Sequence, residues 1–329
     1  MLKTGKRSGR AHRRPARGLL RRTIPIIATF ALVTASSAGV VVFASLTSSA
    51  GATSTMHYIA NEAGAYATTT ALGYNVHDVS LNASQISTLP AGTQGLAYVG
   101  IDKTTCALPT QAFKDFVVAN STNDKLYGYY LMDEPGDTNC VTTIKAHADF
   151  IRANAPAKKS FIELVDKSGL YAAYAPSKSD VDLVGIDPYP CSNGTCNYPH
   201  ITSEVNAAVT AGIPLADIVP TFQVFGDSYY NVPTATQLQT ILDTWQADVP
   251  NPQMEYSYSW GTQGGSLSAA LSTQPALQTV MAAHNSGAVP TTTTTPPPET
   301  TTTTTPPLAW KCPYVANPVA GQTLVCTFE

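Results

Sequence analysis

Between residues 53 and 289, short apolar runs alternate with stretches of helical periodicity. Eight of the runs have the length and the β-branched or aromatic content of buried strands. They are His57–Ala60, Gly73–Val76, Leu96–Ile101, Leu126–Met132, Ser160–Val165, Val181–Ile186, Asp217–Val224 and Gln253–Ser259. The stretches between them predict amphipathic helices, most clearly where Leu238, Ile241, Leu242 and Trp245 recur at i, i+3, i+4 and i+7.

The alternation of strands and helices predicts the fold class. Eight strand–helix units within about 240 residues are typical of a (β/α)8 TIM barrel. An open, doubly wound α/β sheet is the alternative. No glycine-rich phosphate loop follows the first run, which argues against a nucleotide-binding form of that sheet.

The segment before this body, residues 1–52, has the pattern of an export signal. It carries nine Lys and Arg residues and no acid, then 23 uncharged and mostly apolar residues from Ile24 to Leu46, and small residues at 49–52. This order predicts a signal peptide cut after Ala52, and an uncut membrane anchor is the alternative. Both interpretations place the remainder outside the cytoplasm, as a secreted or extracellular cell-surface protein.

Two further segments follow the body. Residues 290–307 contain 11 Thr, six Pro and one Glu, a composition that predicts an extended, semi-rigid linker. Residues 308–329 form a 22-residue tail with two cysteines. A tail this short needs a disulfide to be stable. The predicted domains are therefore 1–52, 53–289, 290–307 and 308–329.

The distribution of charged residues limits the kinds of molecule that the protein can bind. The whole chain has a formal charge of −3, but residues 53–329 hold ten basic and 22 acidic residues, which is −12. Binding to nucleic acid needs clustered Lys and Arg, so we expect none. The apolar fraction of 43% excludes a chain that is disordered throughout. We expect a monomer that contacts a membrane only through residues 1–52, if these stay uncut.

The six cysteines all lie in the exported part, where an even number predicts disulfides. Cys191 and Cys196 bracket a short loop, and Cys312 and Cys326 stand alone beyond the linker. Cys106–Cys140 follows by elimination. A zinc site is the alternative, but no CxxC pair or His-x-x-x-His accompanies the cysteines, so we expect no metal.

Acids follow nearly every predicted strand. The first run is followed by Glu62, the third by Asp102, the fourth by Asp133 and Glu134, and the sixth by Asp187. In a (β/α)8 barrel the carboxyl ends of the strands carry the catalytic groups. A solvent-exposed rim is polar by default, so each acid alone says little, but their clustering with aromatic residues predicts an active site.

The strongest single element is Leu126–Pro135, in which a buried strand runs directly into two acids. Strand alternation places Gly128, Tyr130, Met132 and Glu134 on one face. Because glycine suits the crowded barrel axis, we expect that face to point inward. Glu134 would then reach the barrel mouth, with Asp133 orienting a neighbour. The alternative is that the acid only caps the next helix.

Met132-Asp133-Glu134-Pro135, together with Trp260 after the eighth strand, resembles the secreted (β/α)8 glycoside hydrolases of clan A. The resemblance covers roughly residues 56–285. It implies that Glu134 is the acid/base and that Trp260 is a sugar-stacking platform. Two positions depart from that pattern: Asp133 replaces an Asn, and the seventh strand carries Gln223 where the clan has its nucleophilic Glu.

The sequence is more similar to another set of hydrolase-like barrels, which show Asp-Glu-Pro on strand four, Asp-x-Tyr-Pro on strand six and Gln-x-Phe on strand seven. That resemblance implies that Asp187 is the second carboxylate and that Gln223 donates hydrogen bonds to sugar hydroxyls. Asp187 in Asp-Pro-Tyr-Pro is also compatible with a simple turn. Tyr189 flanks the Cys191–Cys196 loop and is a candidate for stacking on sugar rings.

Glycoside cleavage needs one carboxylic acid and a second carboxylate, roles that Glu134 and Asp187 can supply, with retention and inversion both open. We therefore predict an exported glycoside hydrolase that needs no cofactor and acts on a polysaccharide or oligosaccharide. Its substrate-binding residues would include Glu62, Asp102, Asp133, Tyr189, Gln223 and Trp260. The alternative is a non-catalytic carbohydrate-binding or cell-surface protein on a degenerate barrel. The sequence contains no Gly-x-Ser-x-Gly, which disfavours an esterase.

Overall fold

A closed barrel of eight parallel strands forms the body of the protein. The computed structural model describes residues 55–165 and 169–287, and the backbone of two short strands at 310–311 and 327–328. The barrel strands are β1 Met56–Ile59, β2 Val76–Ser80, β3 Gln94–Tyr98, β4 Leu126–Met132, β5 Lys159–Leu164, β6 Leu183–Ile186, β7 Ile218–Gln223 and β8 Met254–Tyr258. Neighbouring strands pair in sequence order, and β1 pairs with β8 to close the barrel. The predicted (β/α)8 TIM barrel is confirmed.

Helices connect consecutive strands. They are α1 Tyr66–Ala71, α2 Ala83–Ser87, α3 Gln111–Ala119, α4 Val141–Asn154, α5 Leu170–Tyr174, α6 Pro176–Ser179, α7 Pro199–Thr210, α8 Ala235–Asp248 and α9 Pro275–Asn285. Two of the longer ones, α3 and α8, begin at a side-chain cap: Thr110 accepts from the Phe113 amide, and Thr234 forms a capping box with Gln237. Within residues 55–165 and 169–287, no helix is both long and apolar enough to cross a bilayer.

The second strand lies later in the chain than predicted. The apolar run Gly73–Val76 suggested a strand there, but β2 begins at Val76. Gly73 has φ +85°, a left-handed conformation that follows the end of α1 and precludes strand geometry. The polar residues His77 and Asp78 nevertheless belong to β2, where they pair with Gly95 and Leu96 of β3. Glu62 accepts hydrogen bonds from the His77 ring and the Asp78 amide.

Two apolar layers hold the fold together. Side chains from the strands fill the inside of the barrel, namely Tyr58, Val76, Leu96, Tyr130, Phe161, Leu183, Val219, Met254 and Tyr256. A larger layer packs the outer faces of the strands against the helices and includes the predicted face of α8. Burial of each large apolar side chain contributes about 1.5–3 kcal/mol, so these layers make the barrel a rigid frame for the loops at its ends.

Two disulfides pin loops at the carboxyl ends of the strands. Cys106–Cys140 joins the loop after β3 to the start of α4, and Cys191–Cys196 closes a two-stranded hairpin after β6. Near the end of the chain, 310–311 and 327–328 pair as antiparallel strands. The predicted export signal, the linker and the Cys312–Cys326 bond lie outside the described residues.

Candidate active site

The end of β4 carries a bulge that sets the direction of the two acids. The pairing of β4 with β5 shifts register between Tyr130 and Met132. As a result Met132 lies in the outer layer beside Leu131, whereas Tyr130 points into the barrel. Our prediction that Met132 shares the inward face is therefore wrong, since a bulge interrupts the strict alternation of a strand.

Glu134 reaches the barrel mouth through a left-handed backbone. Its φ is +43°, which is unusual for a residue with a Cβ. Hydrogen bonds hold this conformation on both sides: the Glu134 amide donates to the Glu163 carbonyl at 3.1 Å, and Lys103 Nζ donates to the Glu134 carbonyl at 3.0 Å. The Cys106–Cys140 bond lies next to Lys103 and so restrains the loop that supplies this lysine.

A buried glutamate on β5 joins the site from below. The Glu163 side chain is almost fully buried, and its Oε1 accepts from Thr221 Oγ1 at 2.6 Å. Its Oε2 has no hydrogen-bond partner among the described residues. Gly185, its register neighbour on β6, provides the space, because a Cβ there would overlap Oε2. Burial raises the pKa of Glu163 well above its ordinary range, against the opposing hydrogen bond from Thr221.

Asp187 follows β6 and is hydrogen-bonded to Glu134. Burial, then the charge of Glu163, then this contact raise the pKa of Asp187 well above its usual value. These effects favour the protonated form of Asp187, which would donate the hydrogen bond to Glu134. Its Oδ1 is buried and without a partner in the described part of the chain.

Asp133 completes the group of carboxyls. Tyr130 donates a hydrogen bond from its hydroxyl to Asp133 Oδ1 at 2.6 Å. The surrounding protein displaces water and raises the pKa of Asp133, while the Tyr130 hydrogen bond opposes the shift. We call Asp133, Glu134, Glu163 and Asp187 the carboxyl cluster.

Two adjoining cavities open above the cluster, one of about 190 Å³ and one of about 180 Å³. The first, which we call the acidic cavity, is lined by Asp133, Glu134, Glu163, Tyr189, Phe225, Asp227, Tyr230, Tyr256, Tyr258 and Leu267. The second, which we call the tyrosine cavity, is lined by Tyr58, Ala60, Asn61, Asp78, Tyr98, Tyr130, Asp133, Tyr256, Tyr258 and Gln263. Asp133 lies at the junction, since it lines both.

Tyrosines form most of the remaining wall. Tyr189 packs at right angles to Phe225, with 4.9 Å between ring centroids, and lies nearly parallel to Tyr258 at 6.2 Å. Tyr98 is 43% exposed and packs against Tyr130 at 5.3 Å. Faces and hydroxyls of this kind suit sugar rings, which present apolar faces and polar edges.

Gln223 lies beneath the Cys191–Cys196 hairpin, and its side-chain amide is hydrogen-bonded to backbone groups there. Its Oε1 accepts from the Cys191 amide, and its Nε2 donates to the carbonyls of Cys191 and Asn231, each at 2.9 Å. The side chain is completely buried. It therefore supports the loop that carries Tyr189 and lines neither cavity.

Three other residues predicted to bind substrate also lie outside the two cavities. Trp260 is in the outer apolar layer, with 9% of its surface exposed. Glu62 is buried and accepts hydrogen bonds from His77, Thr69 and the Asp78 amide. Asp102 is exposed and accepts from the amides of the turn after it, which lowers its pKa. Glu134, Asp187, Asp133 and Tyr189 are brought together.

Sequence reasoning missed two acids of the mouth. Glu163 lies within a strand and not after one, so the acids that follow strands did not include it, and the signal that identifies it is its register partner Gly185. Asp78 lines the tyrosine cavity and accepts from the Asn61 amide. Burial raises the pKa of Asp78 to about 6.

The contact between Glu134 and Asp187 determines what the site can do. Two carboxyls in hydrogen-bond contact can act together as a proton donor, and here Glu134 lines the acidic cavity whereas Asp187 does not. They are closer than the separation of about 5–5.5 Å or about 6.5–9.5 Å between the two carboxyls of retaining or inverting glycosidases. The attacking role would therefore fall to another group at the cavity.

The fold is similar to that of solved glycoside hydrolases. An endo-β-1,3-glucanase of glycoside hydrolase family 128 (subgroup I) from Amycolatopsis mediterranei, in complex with laminaritriose, superposes with a TM-score of 0.50 at 14% identity, over 71% of this chain and 99% of that one. A fungal endo-β-N-acetylglucosaminidase of family 18 gives 0.46 at 13% identity, over 69% and 97%. No protein-family model and no protein of curated function matches the sequence. The superposition on the glucanase shows a shared barrel fold, and at 14% identity it shows the fold alone.

Proposed function

We propose that the protein is an exported glycoside hydrolase that acts on a polysaccharide or its oligosaccharides. One observation carries the proposal: Glu134 faces a tyrosine-lined cavity at the mouth of the barrel and contacts the buried Asp187, whose pKa is raised. A carboxyl kept protonated at neutral pH is what protonation of a glycosidic oxygen requires. Ligand sites on this fold lie at the same end of the barrel.

The proton moves along the Asp187–Glu134 contact. Asp187 donates to Glu134, and Glu134 passes its proton to the leaving oxygen of the sugar as the glycosidic bond breaks. Asp187 acts through Glu134 and is a positioning residue. Glu163 also lines the acidic cavity and contributes to the raised pKa of Asp187.

Asp133 is the second carboxylate. It lies at the junction of the acidic cavity and the tyrosine cavity, where the bond to be cleaved would span the two. The Tyr130 hydroxyl fixes its orientation. In this position Asp133 either attacks the anomeric carbon or removes a proton from the attacking water.

Export is supported by the sequence pattern and by the disulfides. The basic and apolar residues 1–52 have the form of a signal peptide, with an uncut anchor as the alternative. Cys106–Cys140 and Cys191–Cys196 belong to an oxidising compartment. Outside the cell, the accessible glycans are polysaccharides of walls or matrices.

Activity is tested by incubating the purified full-length protein with a panel of glycans and measuring new reducing ends. The panel begins with laminarin and laminari-oligosaccharides, because the similar glucanase was solved with laminaritriose, and adds chitin and cellulose fragments. Release of reducing ends by the wild type, lost in Glu134→Gln and kept in Asp102→Asn, is the expected result. Asp102 is the matched control because it is a rim acid outside both cavities.

A non-catalytic carbohydrate-binding protein is the second candidate, favoured by Gln223. The seventh strand offers this amide, engaged with the hairpin backbone, in place of a carboxylate. Glycan binding by calorimetry without any release of reducing ends would establish this second function and overturn the first.

A further inference from the structure

A second group of titratable side chains lies at the opposite end of the barrel. His57 on β1 and Glu255 on β8 are register partners. Their neighbours Tyr58 and Tyr256 point into the barrel, so His57 and Glu255 point outward by strand alternation. There they meet His284, which lies in the last turn of α9.

Both imidazoles converge on a single carboxylate oxygen. His57 Nδ1 and His284 Nε2 each lie 2.9 Å from Glu255 Oε2. One ligand atom from each of the three residues lies within 4.8 Å of the other two. The His284 ring is also held by Phe222, which packs edge-on with 5.4 Å between centroids. The three donor atoms thus come from three different elements and are restrained by packing.

The cluster is enclosed but open to solvent on one side. The side chains of His57, Glu255 and His284 are 13%, 8% and 17% exposed. Part of each side chain therefore remains accessible to an ion from solvent.

We propose that His57, Glu255 and His284 form a binding site for a divalent transition-metal ion of the zinc type. Two imidazole nitrogens and one carboxylate oxygen are a donor set that Zn²⁺ takes, with water in the remaining position. Metal ligation uses the neutral form of each imidazole, so binding would release any proton that these rings carry.

The geometry requires only a small movement of the two rings. In a tetrahedral site, two nitrogens at about 2.0–2.1 Å from the ion lie about 3.3–3.4 Å apart. The separation in the structure is at most 4.8 Å, so a movement of at most about 0.7 Å by each ring brings the nitrogens to that distance. The 2.9 Å distances from Oε2 to the nitrogens already correspond to neighbouring ligands around one ion.

The bound ion would be structural. It would tie the first strand, the last strand and the last helix at the seam where the barrel closes, near the amino ends of β1 and β8. Because the carboxyl cluster lies at the other ends of the strands, metal binding and glycan cleavage are separate properties.

The test uses the full-length protein, freed of metal with EDTA and dialysed. Zn²⁺ is titrated in by calorimetry, and Co²⁺ is added separately while its visible absorption is recorded. We expect one equivalent of Zn²⁺ with a dissociation constant of 10 µM or tighter, of the order seen for sites with three protein ligands, together with a cobalt spectrum of tetrahedral intensity. The melting temperature should rise with Zn²⁺.

His284→Ala and Glu255→Gln should each weaken Zn²⁺ binding at least 100-fold and abolish the rise in melting temperature. His200→Ala is the matched control, because it removes a histidine from a different His–Glu pair, with Glu204 on α7, and should leave binding unchanged. The proposal is overturned if the wild type takes up no Zn²⁺ at 100 µM, or if His284→Ala binds it as tightly as the wild type. The wild-type titration decides even if a variant fails to fold.

Discussion

The pKa values of buried carboxyls are shifted in opposite directions at the two ends of the barrel. At the carboxyl ends of the strands, burial raises the pKa of Glu163 and Asp187 well above the ordinary range. At the amino end, Glu255 is also buried, yet its pKa is lowered to about 2 because two histidines outweigh the effect of burial. Similar burial therefore accompanies a preference for the protonated carboxyl at the carboxyl ends of the strands and for the ionised carboxylate at the amino ends.

The partners make the difference. Glu163, Asp187 and Glu134 face one another, so each ionised carboxyl opposes ionisation of the next. Their shortage of donors leaves Glu163 Oε2 and Asp187 Oδ1 without partners among the described residues. Such an arrangement costs stability and is typical of catalytic sites. Glu255, in contrast, accepts hydrogen bonds from His57 and His284. These contacts stabilise the barrel where β1 closes against β8.

The largest effect that separates the two ends is on activity. Glu134→Gln removes the proton donor, so we expect kcat/KM on the best glycan to fall about 1,000-fold, within the range of general acid catalysis. Glu255→Gln should leave kcat/KM within about twofold. Reducing-end assays of both variants check this, and equal losses would break the division into a catalytic end and a structural end.

Gly185→Ala tests the crowding at the carboxyl end. The added Cβ overlaps Glu163 Oε2, so we expect the free energy of unfolding to fall by about 2–3 kcal/mol, as for overpacked cores. Glu163→Ala in the same chain should restore part of the loss. A double-mutant cycle by urea unfolding measures the coupling, and additive effects would show that the two residues do not meet.

Glu255→Gln tests the amino end without metal. It weakens two charge-assisted hydrogen bonds, and we expect a loss of about 2 kcal/mol of unfolding free energy in EDTA. Thermal and urea unfolding provide the measurement, with Glu204→Gln as the control at a less buried glutamate that pairs with one histidine, His200. An unchanged stability would mean that His57 and His284 do not depend on the carboxylate.

The smallest expected effect is on how the stability of the protein depends on pH. A carboxyl whose pKa is raised by folding keeps a proton that the unfolded chain releases, so stability falls as the pH rises above about 4. Glu163→Gln removes one such group. We therefore expect this variant to gain about 1 kcal/mol over the wild type at pH 8 and nothing at pH 4. A gain that is the same at both pH values would contradict a raised pKa at Glu163.

The sequence determined the barrel and the identity of its leading acids. Eight apolar runs with helices between them indicated the fold, because burial on both faces of a parallel strand leaves a continuous apolar signature. Glu134 and Asp187 stood out because they directly follow such strands. These inferences depend on local patterns, which sequence records directly.

Only the tertiary structure decided how the acids are used. The bulge after Tyr130, the left-handed φ of Glu134 and the space above Gly185 bring Glu134, Asp187 and Glu163 together. The same packing commits Gln223 to the hairpin backbone and Trp260 to the outer layer. His57, Glu255 and His284 are far apart in sequence and meet only because the last strand closes against the first. Contacts of this kind depend on register and closure, which are properties of the whole barrel.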